Sequence, residues 1–391
     1  MGGFNSIKRT KQGGRPPGKI DASLGKALQK VEWGEYKLGD LFKILSSKKI
    51  YHANEIDLIL KERRTGFYPY VVRATTNNGI RGYINENEAY LNDAHTLSFA
   101  QDTFTVFYQK ERYFTGNKVK VLKPLFNSVT DRIMTYLVAC FKKSLETLSW
   151  GTGSTVESIG ETKIQLPIKC GQIYFEFMEN FVAELESRRV AELESYLLAT
   201  GLKDYVLTAE EEKALSDFNS LEWKEFNLEK LFGKATRGKR LKSDDRIIGA
   251  LPFVTAGEAE EGISAFIGND VKIFDKNTTT IDMFGSAKYR NYKYGADDHV
   301  AVVHTETLPI KSAIFVSSAI HKAAHTGEFN YGHNFYAKDA DDLNVMLPAK
   351  GDVPDYEFMK SYISAIQKLV IKDVVLYADS KIAATKSITN K

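Results

Sequence analysis

The sequence predicts an α/β (α+β) chain made of two tandem copies of one mixed domain, each followed by a long helix. Three observations predict it: an internal repeat, short β-like runs punctuated by Gly and Asn, and one long amphipathic stretch closing each copy. At 391 residues the chain is long for one domain and comfortable for two. The repeat rests on matches in the same order. Glu32-Trp33-Gly34-Glu35-Tyr36-Lys37-Leu38 parallels Glu222-Trp223-Lys224-Glu225-Phe226-Asn227-Leu228, at an offset of 190. Pro69-Tyr70-Val71, Gly79-Ile80 and Tyr83-Ile84 parallel Pro252-Phe253-Val254, Gly262-Ile263 and Phe266-Ile267, at 183. Leu166-Pro167 and Phe175-Glu176-Phe177-Met178 parallel Leu347-Pro348 and Tyr356-Glu357-Phe358-Met359, at 181. Such a period is far above solenoid lengths and marks a duplicated domain.

The elements follow in order. Residues 1–30 read as a flexible basic tail, with seven basic residues and one acid. Gly14-Arg15-Pro16 within it is a weak match to a minor-groove peptide core; a tail adding non-specific affinity is the plainer reading. The other 361 residues sum to −3, so any nucleic acid must meet local patches. Residues 31–171 form the first mixed domain, with strand-like runs at Tyr70–Val72, Thr103–Tyr108 and Val119–Leu122. Residues 172–201 form a central helix stopped by Gly201, and 202–220 a linker. Residues 221–353 repeat the domain, with runs at Thr278–Met283 and Val300–Val303, and 354–391 close it with a second helix. Met178, Val182, Leu185, Leu193 and Leu197 make a stripe on the first helix; Met359, Ile363, Ile366, Val370, Val374 and Tyr377 make one on the second. A helix of 28 residues spans about 42 Å, long for one face of such a domain, so the two helices are expected to pair as an antiparallel coiled coil.

Several chemistries are absent from the sequence. It holds no phosphate-binding P-loop, no His-Glu-x-x-His and no Gly-x-Ser-x-Gly. His321 and His325 stand four apart without a clear third ligand, and Ser154 and Ser317 have no evident base. Cys140 and Cys170 cannot make a disulfide framework and fit a reducing cytoplasm. No apolar run is long enough to span a membrane. No catalytic residue and no metal site are therefore expected.

Recognition features are present instead. Lys234, Arg237, Lys239, Arg240 and Lys242 put five cations in ten residues, followed in the same copy by Lys288, Tyr289, Arg290 and Lys293. Such residues supply point charges for phosphates and planar forks for guanine edges. The first copy offers Lys48, Lys49, Arg63, Arg64, Arg73 and Arg81, with Asn77 and Asn78 suited to adenine's paired donor and acceptor.

With these residues in view, the chain resembles the specificity subunit of type I restriction–modification systems, and the related subunit of bipartite-site type II systems. Trp223 to Leu228, Lys239-Arg240-Leu241, Leu251-Pro252-Phe253-Val254-Thr255-Ala256-Gly257, Thr280-Ile281-Asp282-Met283-Phe284-Gly285, Phe329-Asn330-Tyr331-Gly332 and Val345-Met346-Leu347-Pro348 carry the resemblance in the second copy. Trp33 to Phe42, Gly153-Ser154-Thr155 and Ile164-Gln165-Leu166-Pro167 carry it in the first, which lacks the Lys-Arg cluster. The resemblance implies that 31–171 and 221–353 are target-recognition domains, each reading one half of a split site in double-stranded DNA. It implies that the paired helices set the gap and dock methyltransferase subunits, with a restriction or motor subunit where one exists. S-adenosylmethionine and ATP would bind those partners, not this chain. The competing reading is a non-catalytic scaffold or inhibitor that uses the same folds to bind protein.

Overall fold

The computed structural model describes residues 22–145 and 155–389. The basic residues before position 22 and the Gly153-Ser154 pair lie outside the described residues. The chain divides into two units, 1–192 and 193–391. Among the described residues no helix is long and apolar enough to cross a membrane.

The first unit opens with a helix, Ala22–Lys30, where composition suggests only a flexible tail. Its Leu24 is buried, and Trp33 donates its indole N–H to the Leu28 carbonyl at 3.1 Å. Strand Glu32–Lys37 then pairs antiparallel with Lys163–Lys169. A four-stranded antiparallel sheet follows, in the order Phe42–Ser46, Val119–Pro124, Thr96–Ala100, Thr105–Gln109. A smaller sheet holds Ile80–Ile84, Tyr68–Val71 and Phe114–Thr115, the last pair parallel. The helix Asp131–Leu145 buries Ile133, Met134, Leu137 and Phe141 against the four-stranded sheet. The long helix Phe175–Ala199 adds Met178 and Val182 to the same core. Arg132 ties the two helices, reaching Glu179 at 3.2 Å and Glu186 at 2.9 Å.

The second unit repeats this plan. Trp223–Asn227 pairs with Asn344–Lys350. One four-stranded sheet runs Thr236–Arg237, Val300–Val303, Thr278–Asp282, Ala287–Arg290; the other gains a strand over its counterpart, in the order Ile263–Ile267, Ile248–Val254, Tyr294–Ala296, Ile273–Phe274, and again contains one parallel pair, Ile248–Val254 with Tyr294–Ala296. Helix Ile310–Ala324 covers the sheet of Thr278–Asp282 and Ala287–Arg290, and the long helix Tyr356–Thr389 seals the core with Met359. The helix Ala209–Asp217 is the counterpart of the opening helix of the first unit. At the offset of 190 residues, buried Ala214 answers to buried Leu24, and Phe218 to Leu28. Phe218 stacks on Tyr362 with centroids 4.6 Å apart and meets Trp223 edge-on.

The last turns of Phe175–Ala199 belong to the second unit and pack on Tyr356–Thr389. Leu197, Val375 and Ala378 are fully buried, flanked by Leu193, Ile371, Leu202 and Tyr205. The seam on the second helix is one residue later than its sequence stripe suggests. Val370 and Tyr377 are 73% and 55% exposed. The helix is apolar on more than one side here, so periodicity alone could not choose the covered side.

Candidate nucleic-acid interface

The densest basic segment sits on a pinned backbone. Thr236–Arg237 forms the edge strand of its sheet, opposite Val302 and Ala301. At Gly238 the chain presses on the strand Tyr294–Ala296 of the other sheet so closely that a Cβ would lie 1.6 Å from the Ala296 carbonyl oxygen. Only glycine permits that approach. Lys239 then donates its N–H to the Ala296 carbonyl at 3.2 Å, and Leu241 donates to the Asp297 carboxylate at 3.3 Å. Burial, together with the neighbouring Asp298 carboxylate, pushes the Asp297 carboxyl above its usual range. Arg246 turns inward, over the Phe253 ring at 5.1 Å, and donates to the Leu241 carbonyl and to Ser264 Oγ. With the backbone held this way, Arg237, Lys239, Arg240 and Lys242 are all exposed. Among the described residues none of these four meets a carboxylate, so their charge is uncompensated.

The second candidate group of this copy divides. Lys293 is exposed but pairs with Asp275 at 2.9 Å. Tyr289 is half-buried, donates its hydroxyl to Asn277 at 2.9 Å, and has its phenol pushed up by burial. Lys288 is only 16% exposed, with its ammonium held by Ser286 at 2.8 Å and Glu258 at 3.2 Å. Arg290, expected to contact DNA, is instead a core residue, 1% exposed. Its guanidinium donates to Thr280 Oγ1 at 2.9 Å, to the Glu261 carbonyl at 2.9 Å and to the Tyr292 hydroxyl at 3.0 Å. The hairpin places Arg290 opposite Thr278, on the face that packs inward. A basic-aromatic alternation reads the same from sequence whether it faces solvent or core.

In the first copy most of the candidate cations already have partners. Arg63 pairs with Glu111 at 2.6 Å, Arg73 with Asp102, and Lys48 lies 3.5 Å from Asp93. Asp93 is held below the usual carboxylate range by Lys123 first and Lys48 as well, and Asp102 by Lys118 and Arg73. Lys49 lies over the rings of Tyr51 and Tyr90, at 4.6 and 5.0 Å. Asn77 and Asn78 adopt left-handed backbone angles of φ 49° and 53°. Their amides build the turn: Asn77 donates to the Ile80 carbonyl at 2.8 Å and Asn78 to the Tyr108 carbonyl at 2.9 Å. The adenine-reading role expected of them competes with these bonds. Arg64 and Arg81 are exposed and meet no carboxylate among the described residues.

Ser317, His321 and His325 have structural work; Ser154 lies outside the described residues. Ser317 is buried, donating to the Ala313 carbonyl and lying 2.5 Å from Thr279 Oγ1. His321 accepts the Ala287 N–H at 3.1 Å, and His325 stacks on it while contacting the Phe284 carbonyl.

Residues 30–195 and 220–376 each match the family described as the type I restriction modification DNA specificity domain. Among curated proteins, the chain is similar to S.BcgI, the specificity subunit of a type II restriction enzyme from Heyndrickxia coagulans. The two are 23% identical over 350 residues, covering 87% of this chain and 96% of the relative. Among solved structures it is similar to the S subunit of a type I restriction-modification system from M. genitalium. The TM-score is 0.59 at 16% identity, covering 92% of this chain and 95% of that one, which establishes a shared fold.

Proposed function

Because this chain belongs to the type I restriction modification DNA specificity family, whose members are non-catalytic specificity subunits, we propose that it reads a split DNA target, one half-site per domain, and directs partner methyltransferase subunits to it. The observation that carries this reading is the pairing of a repeated frame with different exposed side chains. Both units share the strand order of their first four-stranded sheet and the opening strand pair, yet one clusters four uncompensated cations at 237–242 while in the other Lys48, Arg63 and Arg73 are each paired with a carboxylate. Equivalent frames with different surfaces suit two half-sites of different sequence. We assign phosphate positioning in the second domain to Arg237, Lys239, Arg240 and Lys242, and base or phosphate contact in the first to Arg64 and Arg81.

The domain limits 31–171 and 221–353 belong to this proposal, with the helical segments after each serving as spacer and docking surface. On the second long helix, Leu369, Val370, Leu376 and Tyr377 are exposed, which supports a protein partner there. S-adenosylmethionine, and ATP where a motor subunit exists, would be bound by the partners. Comparing the host methylome with and without this chain tests the proposal. Loss of methylation at one two-part sequence with a fixed gap is the expected result. Methylation that persists unchanged would favour the protein-binding scaffold.

A further inference from the structure

We propose that Ile247 and Ile248 form an apolar reading tip of the second domain, seated against the C5 methyl group of a thymine in the major groove. The proposal rests on the DNA-recognition reading above. Ile248 is 95% exposed, the most exposed large apolar side chain among the described residues, and Ile247 is 62% exposed. Leaving two adjacent isoleucines in water carries a free-energy cost that a bound surface removes.

The tip is built rather than loose. Ile247 donates its N–H to Asn269 Oδ1 at 2.8 Å, and its carbonyl accepts the Gly268 N–H at 2.8 Å. Asn269 in turn donates to the Asp245 carbonyl at 2.9 Å. A Cβ on Gly249 would lie 2.3 Å from the Gly268 nitrogen, so the two backbones are in direct contact just behind the tip. The main chain is therefore fixed while both side chains face solvent.

Charge selects the occupant. The inward-turned Arg246 binds the Leu241 carbonyl, which closes residues 241–246 into a compact turn. The exposed cations Lys239, Arg240 and Lys242 lead into this turn and the isoleucines follow it. An apolar tip flanked by uncompensated cations fits a duplex, whose phosphates meet the cations while a groove edge meets the tip. Asp244 and Asp245, on the same turn, repel phosphate and leave that contact to the cations before them. In the major groove the thymine methyl is the apolar group that base edges offer.

The internal repeat makes the same point. At the offset of 183 residues, Arg246-Ile247-Ile248-Gly249 answers to Arg63-Arg64-Thr65-Gly66, and Pro252 to Pro69. As sequence, the arginine, glycine and proline recur while the two exposed positions change from Arg-Thr to Ile-Ile; the backbones differ, since Gly66 takes φ 79° and Gly249 instead packs on Gly268. An arginine can read guanine through hydrogen bonds, and an isoleucine cannot, so the two half-sites would differ at this contact.

The test uses the full-length chain purified with its own methyltransferase partners, and the target duplex selected from a randomised pool. Single thymines of the second half-site are replaced by deoxyuridine, which removes only the methyl group. At one position the wild type should bind the deoxyuridine duplex about fourfold more weakly, the worth of one buried methyl. Ile248→Ala should bind the thymine duplex correspondingly more weakly and no longer distinguish the two. Its melting temperature should match the wild type, because the side chain is exposed. The proposal is overturned if the selected half-site has no thymine, if no thymine distinguishes the duplexes, or if Ile248→Ala distinguishes them as the wild type does. A variant that loses a protein partner but keeps the thymine preference would also overturn it. If the wild type prefers no sequence at all, the recognition reading itself fails.

Discussion

Trp223 stands opposite Pro348 across an antiparallel strand pair, and in the first unit Trp33 stands opposite Pro167 in the same register. In each unit this pair joins the chain's entry into the domain to the strand that leads into its long helix. The helix Phe175–Ala199 and the helix Tyr356–Thr389 therefore leave their own domains from matching positions. A spacer role depends on such fixed starting points, because a helix that swivelled on its domain could not set a distance.

Replacing Lys239 and Arg240 together by Ala should weaken DNA binding and shallow its salt dependence. Each phosphate contact contributes a slope of about −0.9 in log affinity against log salt, so losing both contacts should reduce the slope by about 1.8. Titrations at several salt concentrations read this directly. An unchanged slope would remove these residues from the interface.

Arg290→Leu should act on stability rather than on DNA contact. It leaves the Glu261 carbonyl and the Thr280 and Tyr292 hydroxyls without their buried donor. The expected cost is about 3 kcal/mol, seen in denaturant unfolding. Lys293→Ala, at an exposed ion pair, should leave the unfolding midpoint nearly unchanged.

Lys368 should set the acid limb of stability for the second unit. It lies 2.8 Å from Asp204 and 3.0 Å from Glu211, and Ser364 donates to Glu211 at 2.6 Å. Burial raises the Glu211 carboxyl, but hydrogen bonds from Ser364, the Thr208 N–H and Lys368 outweigh it, so the net shift is downward. Asp204 is also lowered, chiefly by its bond to Lys368. Depressed carboxylates stabilise the folded state above their unfolded pKa, about 4, and that stability is lost as pH falls through the lower folded values. Lys368→Met should lower stability at neutral pH and flatten the acid limb of a melting profile.

Inserting seven residues into the exposed middle of Phe175–Ala199 should lengthen the preferred gap between half-sites. Seven residues add about 10.5 Å and nearly two whole turns, so the flanking faces keep almost the same direction. On B-DNA that length corresponds to about three base pairs. Methylome sequencing of a host carrying the variant reads the gap, and an unchanged gap would end the spacer assignment.

Much of the fold was legible because duplication repeats rare residues. Trp, Pro and aromatic positions recur at nearly constant offsets, and they are the residues that build the strand pairs and cores. The opening helix Ala22–Lys30 was not legible. Its basic composition masks a stripe on which Leu24 is buried, and its kinship to Ala209–Asp217 shows only when Leu24 and Ala214 are seen in matching places. For the candidate interface, Lys239 and Arg290 look equally available as sequence, and their fates differ completely.

By itself the sequence determined that one domain occurs twice, which strands open and close it, and where two long helices follow. Those properties rest on local pattern and on matching positions, both written along the chain. Only the tertiary structure decided which cations are uncompensated, which are spent on Glu111, Asp102 or Asp275, and that Arg290 belongs to the core. It also decided that Val375 rather than Val374 lines the helix seam and that Ile248 faces solvent. Burial and ion pairing depend on neighbours that arrive from distant parts of the chain, and no local spacing encodes them.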